Sequence, residues 1–297
     1  MKELVDSGSA WIGIVPSTWN KKPIRNIVVR RDGGAWGEEP FEDQDGTICM
    51  RVADFDYATG KFKDSSIDEL TKRQYSEAQV YNLKLKKGDI LIEKSGGGEK
   101  TPVGRTVIFD KEYLALFANF MDRIRINTQE VSELYVEYWL RALYACHVTP
   151  FYIKQTTGIQ NLDLSLMLAK EKIFFPDKDN QNAITNYLDN RCGELDGLIL
   201  DINEQIDELE LYKRSVIIEL TTKGLGDHVG KKDSGIEYVG QIPDHWDMHP
   251  LYVYFGERKH KNSKVISDKK EQLETIEEYK KSLIYEYVTG KKEVPVA

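Results

Sequence analysis

Lys94-Ser95-Gly96-Gly97-Gly98-Glu99-Lys100-Thr101 sets three glycines, two lysines and two hydroxyls directly after an apolar run. Glycine lets backbone N–H groups come close to a phosphate, and lysine neutralises its charge. The same composition also makes an ordinary flexible hairpin loop. The spacing G-x-x-x-x-G-K-[S/T] of a nucleotide-binding loop is absent, so nucleoside triphosphate binding is not implied. Gln155-Thr156-Thr157-Gly158-Ile159-Gln160-Asn161 is rich in amides and hydroxyls. Gln and Asn side chains can bond an adenine edge in two-pronged fashion, with a solvated turn as the plain alternative. Arg30-Arg31-Asp32-Gly33-Gly34, followed by Trp36, is a third basic, glycine-bearing segment. Trp36 reads equally as a core residue.

Catalytic constellations are weaker. Pro243-Asp244 followed by Glu257-Arg258-Lys259 formally fits P-D-x(n)-[D/E]-x-K, in which two carboxylates hold Mg²⁺ and a lysine assists water. A Mg-dependent nuclease is therefore one alternative, although the pattern is short and common by chance. Methyl transfer lacks support, because the chain has no Pro-Pro pair and no glycine-rich cofactor fingerprint. His147, His228, His245, His249 and His260 form no triad-like or zinc-like spacing. Cys49, Cys146 and Cys192 are scattered and odd in number, as expected of reduced thiols in the cytoplasm. No metal and no cofactor is expected.

The chain repeats itself. Asp6-Ser7-Gly8-Ser9-Ala10-Trp11-Ile12-Gly13-Ile14-Val15-Pro16-Ser17-Thr18-Trp19 returns, at an offset of 227, as Asp233-Ser234-Gly235-Ile236-Glu237-Tyr238-Val239-Gly240-Gln241-Ile242-Pro243-Asp244-His245-Trp246. Tyr212-Lys213-Arg214-Ser215 with Ile217, Glu219 and Thr222 returns, at an offset of 67, as Tyr279-Lys280-Lys281-Ser282 with Ile284, Glu286 and Thr289. The order motif, helix, motif, helix is a two-fold repeat. Trp19 and Tyr212 are 193 residues apart but Trp246 and Tyr279 only 33, so the second unit lacks a middle of domain size. At the 227 offset Asp244 maps to Ser17, and Glu257-Arg258-Lys259 to Arg30-Arg31-Asp32. The opening motif does not need those carboxylates, which weighs against the nuclease.

These residues resemble the specificity (S) subunit of type I restriction–modification systems. Trp11-Ile12-Gly13 through Pro16 and Trp19 match the opening segment of a target recognition domain, and Tyr238-Val239-Gly240 through Trp246 match it again. Gly33-Gly34-Ala35-Trp36-Gly37, Arg51-Val52-Ala53-Asp54, Gly88-Asp89-Ile90-Leu91, the stretch from Glu93 to Arg105, and the Phe174-Phe175-Pro176 exit into Gln181, Ile184 and Tyr187-Leu188-Asp189 also resemble the family. The resemblance implies a non-catalytic DNA-recognition subunit in half form, lacking most of the second recognition domain. It implies double-stranded DNA, methyltransferase (modification) subunits and restriction (motor and nuclease) subunits as partners. Taken with the segments described above, the candidate DNA contacts are Arg31, Gly33, Gly34, Lys94, Ser95, Gly96, Gly97, Gly98, Lys100, Thr101, Arg105, Gln155, Thr157, Gln160 and Asn161. A structural coiled-coil adaptor is a further alternative, but it leaves the first 176 residues without a purpose.

The elements that must position these residues are of two kinds. Short apolar or alternating runs at Ile24–Arg30, Thr47–Val52, Asp89–Ile92, Val103–Phe109 and Met121–Ile126 predict strands. Leu134–Cys146 and Leu164–Ala169 predict short helices. The fold class is α+β: a mixed α/β recognition domain with a curved or barrel-like sheet over residues 1–176, plus long coiled-coil helices. A spacer helix follows over 177–226, then a truncated second opening over 227–262 and a short C-terminal helix over 263–297 that pairs with the spacer. The seam comprises Leu188, Leu195, Ile202, Leu209 and Val216 with Cys192, Ile199, Ile206 and Leu220, facing Leu273, Ile276, Leu283 and Tyr287. Lys213 and Lys280 break it at homologous places, which suggests register setting or a protein contact. A 43-residue helix from Gln181 to Lys223 would span roughly 65 Å, close to two DNA turns of roughly 34–36 Å. The expected C-terminal helix, from Asp268 to Thr289, covers only part of that seam. Leaving the rest in water is unfavourable, so a homodimer is expected.

The net charge of −8 does not by itself suggest DNA. Residues 1–176 hold 24 Lys and Arg against 25 Asp and Glu, so the excess acid lies in the helical remainder. With 40% hydrophobic and 30% charged residues and no membrane-length apolar run, a soluble cytoplasmic protein is expected.

Overall fold

A computed structural model describes residues 3–41, 45–155, 158–223, 230–237, 239–247, 249 and 264–295. The chain forms two compact units: Met1–Asp196 with Tyr279–Ala297, and Gly197–Glu278. Thr156, Thr157, His228, Tyr238, Glu257, Arg258, Lys259 and His260, singled out above, lie outside the described residues.

The first unit is built on an open antiparallel sheet in the order Thr106–Ile108, Ile90–Glu93, Met121–Ile126, Val28–Gly33. A second sheet sets Ala115–Phe117 parallel to Thr47–Met50, with Lys72–Arg73 antiparallel on the other side. The strands lie on the predicted runs, but several are shorter: Thr47–Val52 is strand only to Met50, with Val52 opening a 3₁₀ turn, Val103–Phe109 is strand only over Thr106–Ile108, and Ile24–Asn26 is not strand at all. Those residues form a 3₁₀ turn after Pro23, and the strand starts at Val28. Among the described residues the sheets do not close into a barrel. Short helices α1 (Glu77–Leu83), α2 (Glu133–Ala145) and α3 (Leu164–Lys170) complete the domain.

Helix α2 carries the core. Tyr135, Val136, Trp139, Leu140 and Leu143 are buried against Ile90, Ile92, Ile124 and Phe174 in one apolar cluster. The long helix α4 (Lys178–Lys223) and the C-terminal α5 (Lys264–Val288) both add to it, through Ile184, Leu188 and Cys192 and through Leu283, Ile284, Tyr287 and Val288. The two helices run antiparallel here, because Tyr287 stacks on Tyr187 at 4.5 Å while Lys280 reaches Asp196. The seam lysine is thus a protein contact: Lys280 is buried, pairs with Asp196 and donates to the Ala58 carbonyl at 2.5 Å.

In the second unit α5 begins earlier than expected, and Ile266, Leu273 and Ile276 pack on Ile202, Ile206 and Leu209. The expectation that this part of the seam lies open in a single chain is corrected: α5 covers it. Leu195 packs on the first unit's core, and Ile199 and Val216 are half-buried.

The repeat is structural as well as sequential. Each opening motif is a hairpin, Leu4–Asp6 with Ile14–Pro16 and Lys231–Asp233 with Gln241–Pro243. The Ser7 N–H donates to the Gly13 carbonyl at 2.8 Å, and the Ser234 N–H to the Gly240 carbonyl at 2.9 Å. Asp6 and Asp233 each accept from the second following N–H at 2.9 Å. Gly13 and Gly240 hold φ of 71° and 68°, a left-handed conformation that explains glycine at both places.

Candidate nucleic-acid interface

The three segments picked out above meet on one face of the first unit. Lys94 leaves the central strand, and its Nζ lies 2.6 Å from Oδ1 of Asp122. Asp122 is buried in the neighbouring strand, and its Oδ2 accepts from Arg31 Nε at 2.8 Å. Arg31 in turn donates to Ser165 Oγ, near the start of α3, at 2.6 Å. Gly33 sits opposite Asp122 in the ladder, and a Cβ there would stand 3.1 Å from Lys94 Nζ. A side chain there would crowd the Lys94 ammonium and the Asp122 carboxylate.

One residue further on, the chain enters a small sheet. Ser95–Gly96 pairs with Gln160–Leu162, which pairs with Ile153–Gln155. Ser95 Oγ donates to Asn161 Oδ1 at 2.7 Å. Gly96 and Gly97 have φ of 112° and 61°, so the turn requires glycine. The loop tip, Glu99, Lys100 and Thr101, is exposed. Gln155 is exposed and donates to the Gly158 carbonyl at 3.3 Å, while Thr157 lies outside the described residues.

Other expected contacts are engaged inside the domain. Gln160 is buried: its Oε1 accepts from the Val103 N–H at 3.1 Å, and its amide donates to the Gly98 carbonyl at 3.3 Å. It fastens the glycine loop. Arg105 forms a two-pronged bond to buried Glu93, at 2.8 and 3.2 Å, and stacks 3.7 Å from the Tyr57 ring. Gly34 serves close packing, since a Cβ there would stand 2.2 Å from the Ala118 carbonyl oxygen. Trp36 is not core; it is half-exposed beneath the Arg73 guanidinium at 4.7 Å.

Electrostatics favour an anion here. Arg31, Lys94 and Lys154 face two carboxylates, Asp122 and Asp163, leaving one positive charge in excess, while at the loop tip Lys100 is balanced by Glu99. Lys154, at 2.7 Å, holds the Asp163 carboxyl below its usual range. Nearby, Asp32 is held low by Arg30 and Arg123 against the upward pull of burial. Phe120, half-exposed, accepts the N–H groups of both Lys94 and Ser95 at its carbonyl. Asp122, Ser165 and Phe120 gave no signal in isolation; their role depends on pairing between distant strands. Among the described residues no group of three metal-ligating side chains assembles.

No family model matches the chain. Among curated proteins, the type I restriction enzyme MjaX specificity subunit of Methanocaldococcus jannaschii is 26% identical over 246 residues, which is 81% of this chain and 53% of that protein. The type I restriction enzyme MjaVIII specificity subunit of the same organism is 29% identical over 138 residues, 46% of this chain and 29% of that protein. The chain is thus similar to proteins named as type I restriction enzyme specificity subunits. It spans about half the length of the first of these relatives. Solved structures overlap it loosely. The S subunit from M. genitalium gives a TM-score of 0.39 at 18% identity over 64% of this chain and 44% of that one. The HsdS subunit from Thermoanaerobacter tengcongensis gives 0.46 at 10% identity over 75% and 52%. Among the described residues no helix is long and apolar enough to cross a membrane.

Proposed function

We propose that this chain is the DNA-recognition subunit of a type I restriction–modification complex, and that its first 176 residues read one half-site of double-stranded DNA. The observation that carries this reading is the convergence of Lys94, Arg31, Ser95 and Asn161 on one cationic face. Lys94, Lys100 and Arg31 would bind phosphates and fix the register, while Asn161, Gln155 and the hydroxyls of Ser95 and Thr101 would meet base edges. The similarity to curated specificity subunits supports the same reading.

In this reading the chain performs no chemistry itself. It works in the cytoplasm with methyltransferase subunits and restriction subunits, which dock on the helices. Residues 177–226 and 263–297 serve as spacer and pairing helix, and 227–262 as the remnant of a second opening. One chain carries one recognition domain, so a homodimer within the complex supplies the second, and the target is an interrupted palindrome. Mapping methylated sites in DNA after co-expression with a modification subunit tests this. A two-fold symmetric, interrupted target is expected; methylation independent of this chain would overturn the reading.

A further inference from the structure

The end of α5 and the end of α4 carry the same sequence, yet only one of them is seated. In the eleven residues Tyr212–Thr222 and Tyr279–Thr289, tyrosine, lysine, serine, isoleucine, glutamate and threonine coincide. The α5 copy is sunk into the first unit. Ile284 and Tyr287 are 4% and 5% exposed, and Leu283 and Val288 are buried with them against α2. Lys280 bonds Asp196 and the Ala58 carbonyl, and Tyr285 donates to the Trp11 carbonyl at 2.9 Å. Gly290 closes the seat so tightly that a Cβ would stand 2.7 Å from Pro16 and Trp19.

The α4 copy lacks this burial. Ile217 and Leu220, the counterparts of Ile284 and Tyr287, are 47% and 42% exposed, and Tyr212 is 70% exposed. Lys213, the counterpart of Lys280, forms no ion pair or hydrogen bond among the described residues. The second unit contains no equivalent of α2 among its described residues, so the seat that this face matches is absent from its own half.

We infer that the last turns of α4, with Tyr212, Lys213, Val216, Ile217 and Leu220, are a docking face for the recognition domain of a second copy of this chain, and that α5 is the internal competitor for that seat. Lys213 would take the place of Lys280 on Asp196 and Ala58 of the second copy, and Ile217 that of Ile284. The inference rests on the pairing proposed above and names the surfaces and the brake. A tethered segment competes at an effective concentration of about a millimolar, so at micromolar concentration α5 wins and the free chain stays single. Pairing requires α5 to leave, and the partner subunits are what would shift that balance.

Light scattering of the full-length protein tests this without DNA, so loss of DNA recognition would leave its outcome untouched. The unaltered chain at micromolar concentration is expected to show the mass of one chain, 34.2 kDa. Lys280→Glu sets two carboxylates together at the seat and is expected to double that mass, with helical content by circular dichroism retained. Adding Lys213→Glu is expected to return the single-chain mass. Ile284→Ala loosens the seat without new charge and should act like Lys280→Glu, which covers the case where the charged variant fails to fold. Folded, single-chain Lys280→Glu and Ile284→Ala variants would overturn the inference. So would a dimer, in any of these proteins, that Lys213→Glu leaves intact.

Discussion

Lys94 and Asp122 meet at 2.6 Å across two neighbouring strands, and the same carboxylate is shared with Arg31. One buried anion therefore aims two cations at a common surface. Lys94→Ala is expected to weaken DNA binding by the assembled complex about tenfold, the effect of losing one charged hydrogen bond. It should also lower the slope of log affinity against log salt by about one. Filter binding or anisotropy at several salt concentrations checks this, and an unchanged slope would take Lys94 out of the interface.

Gln160→Ala removes both ties on the glycine loop, leaving the Val103 N–H and the Gly98 carbonyl without their amide partner. A loss of roughly 1–3 kcal/mol in stability is expected. Trypsin cleavage after Lys100 should quicken, and urea unfolding together with limited proteolysis measures both.

Gly34→Ala would drive a methyl group to 2.2 Å from a backbone oxygen, which no rotamer can relieve. The expected cost is about 3 kcal/mol, visible as a lowered Tm, with any DNA defect following from misfolding rather than from a lost contact. A variant of normal Tm but weakened DNA binding would reverse that assignment.

Glu137 on α2 is fully buried, and burial raises its carboxyl to about 8 despite Arg141 nearby. Between the usual glutamate value, about 4.3, and 8, the folded protein binds a proton that the unfolded chain gives up. Stability should therefore fall as pH rises through that window and level off above it. Glu137→Gln is expected to flatten the fall and to be more stable than the parent at pH 9. Urea midpoints between pH 5 and 9 decide the matter.

Purified protein is expected neither to cleave nor to methylate DNA, with Mg²⁺ or S-adenosylmethionine present. Turnover that disappears in Asp244→Ala would instead favour the nuclease pattern around Pro243.

Much of this architecture was legible in the residues. The runs at Thr47, Ile90 and Met121 became strands because their apolar residues are bounded by turn formers, and α2 follows its three- and four-residue spacing. Helix α1 escaped notice although Ser76 and Gln79 form a capping box, since its seven residues bury no side chain fully. The site was legible as three separate segments but not as one surface. Strand alternation explains the error at Gln160: residues 160 and 162 point inward and Asn161 outward, so the amide-rich stretch is divided between core and surface. The Lys94–Asp122–Arg31 arrangement is nonlocal, and no local spacing announces it. Lys280 was visible as a break in the seam, but its partner Ala58 lies 222 residues away.

Leu283, Ile284, Tyr287 and Val288 belong to the same apolar cluster as Ile90, Ile124 and Phe174. During synthesis the recognition domain therefore waits, with part of its core uncovered, until the final turns of α5 have left the ribosome. A nascent chain of this kind exposes sticky surface for most of its translation time, as segments with distant contacts generally do. Premature stop codons before Tyr212, which remove the seat-filling helix end of α4 as well as that of α5, should then yield insoluble chains rather than a free, working domain.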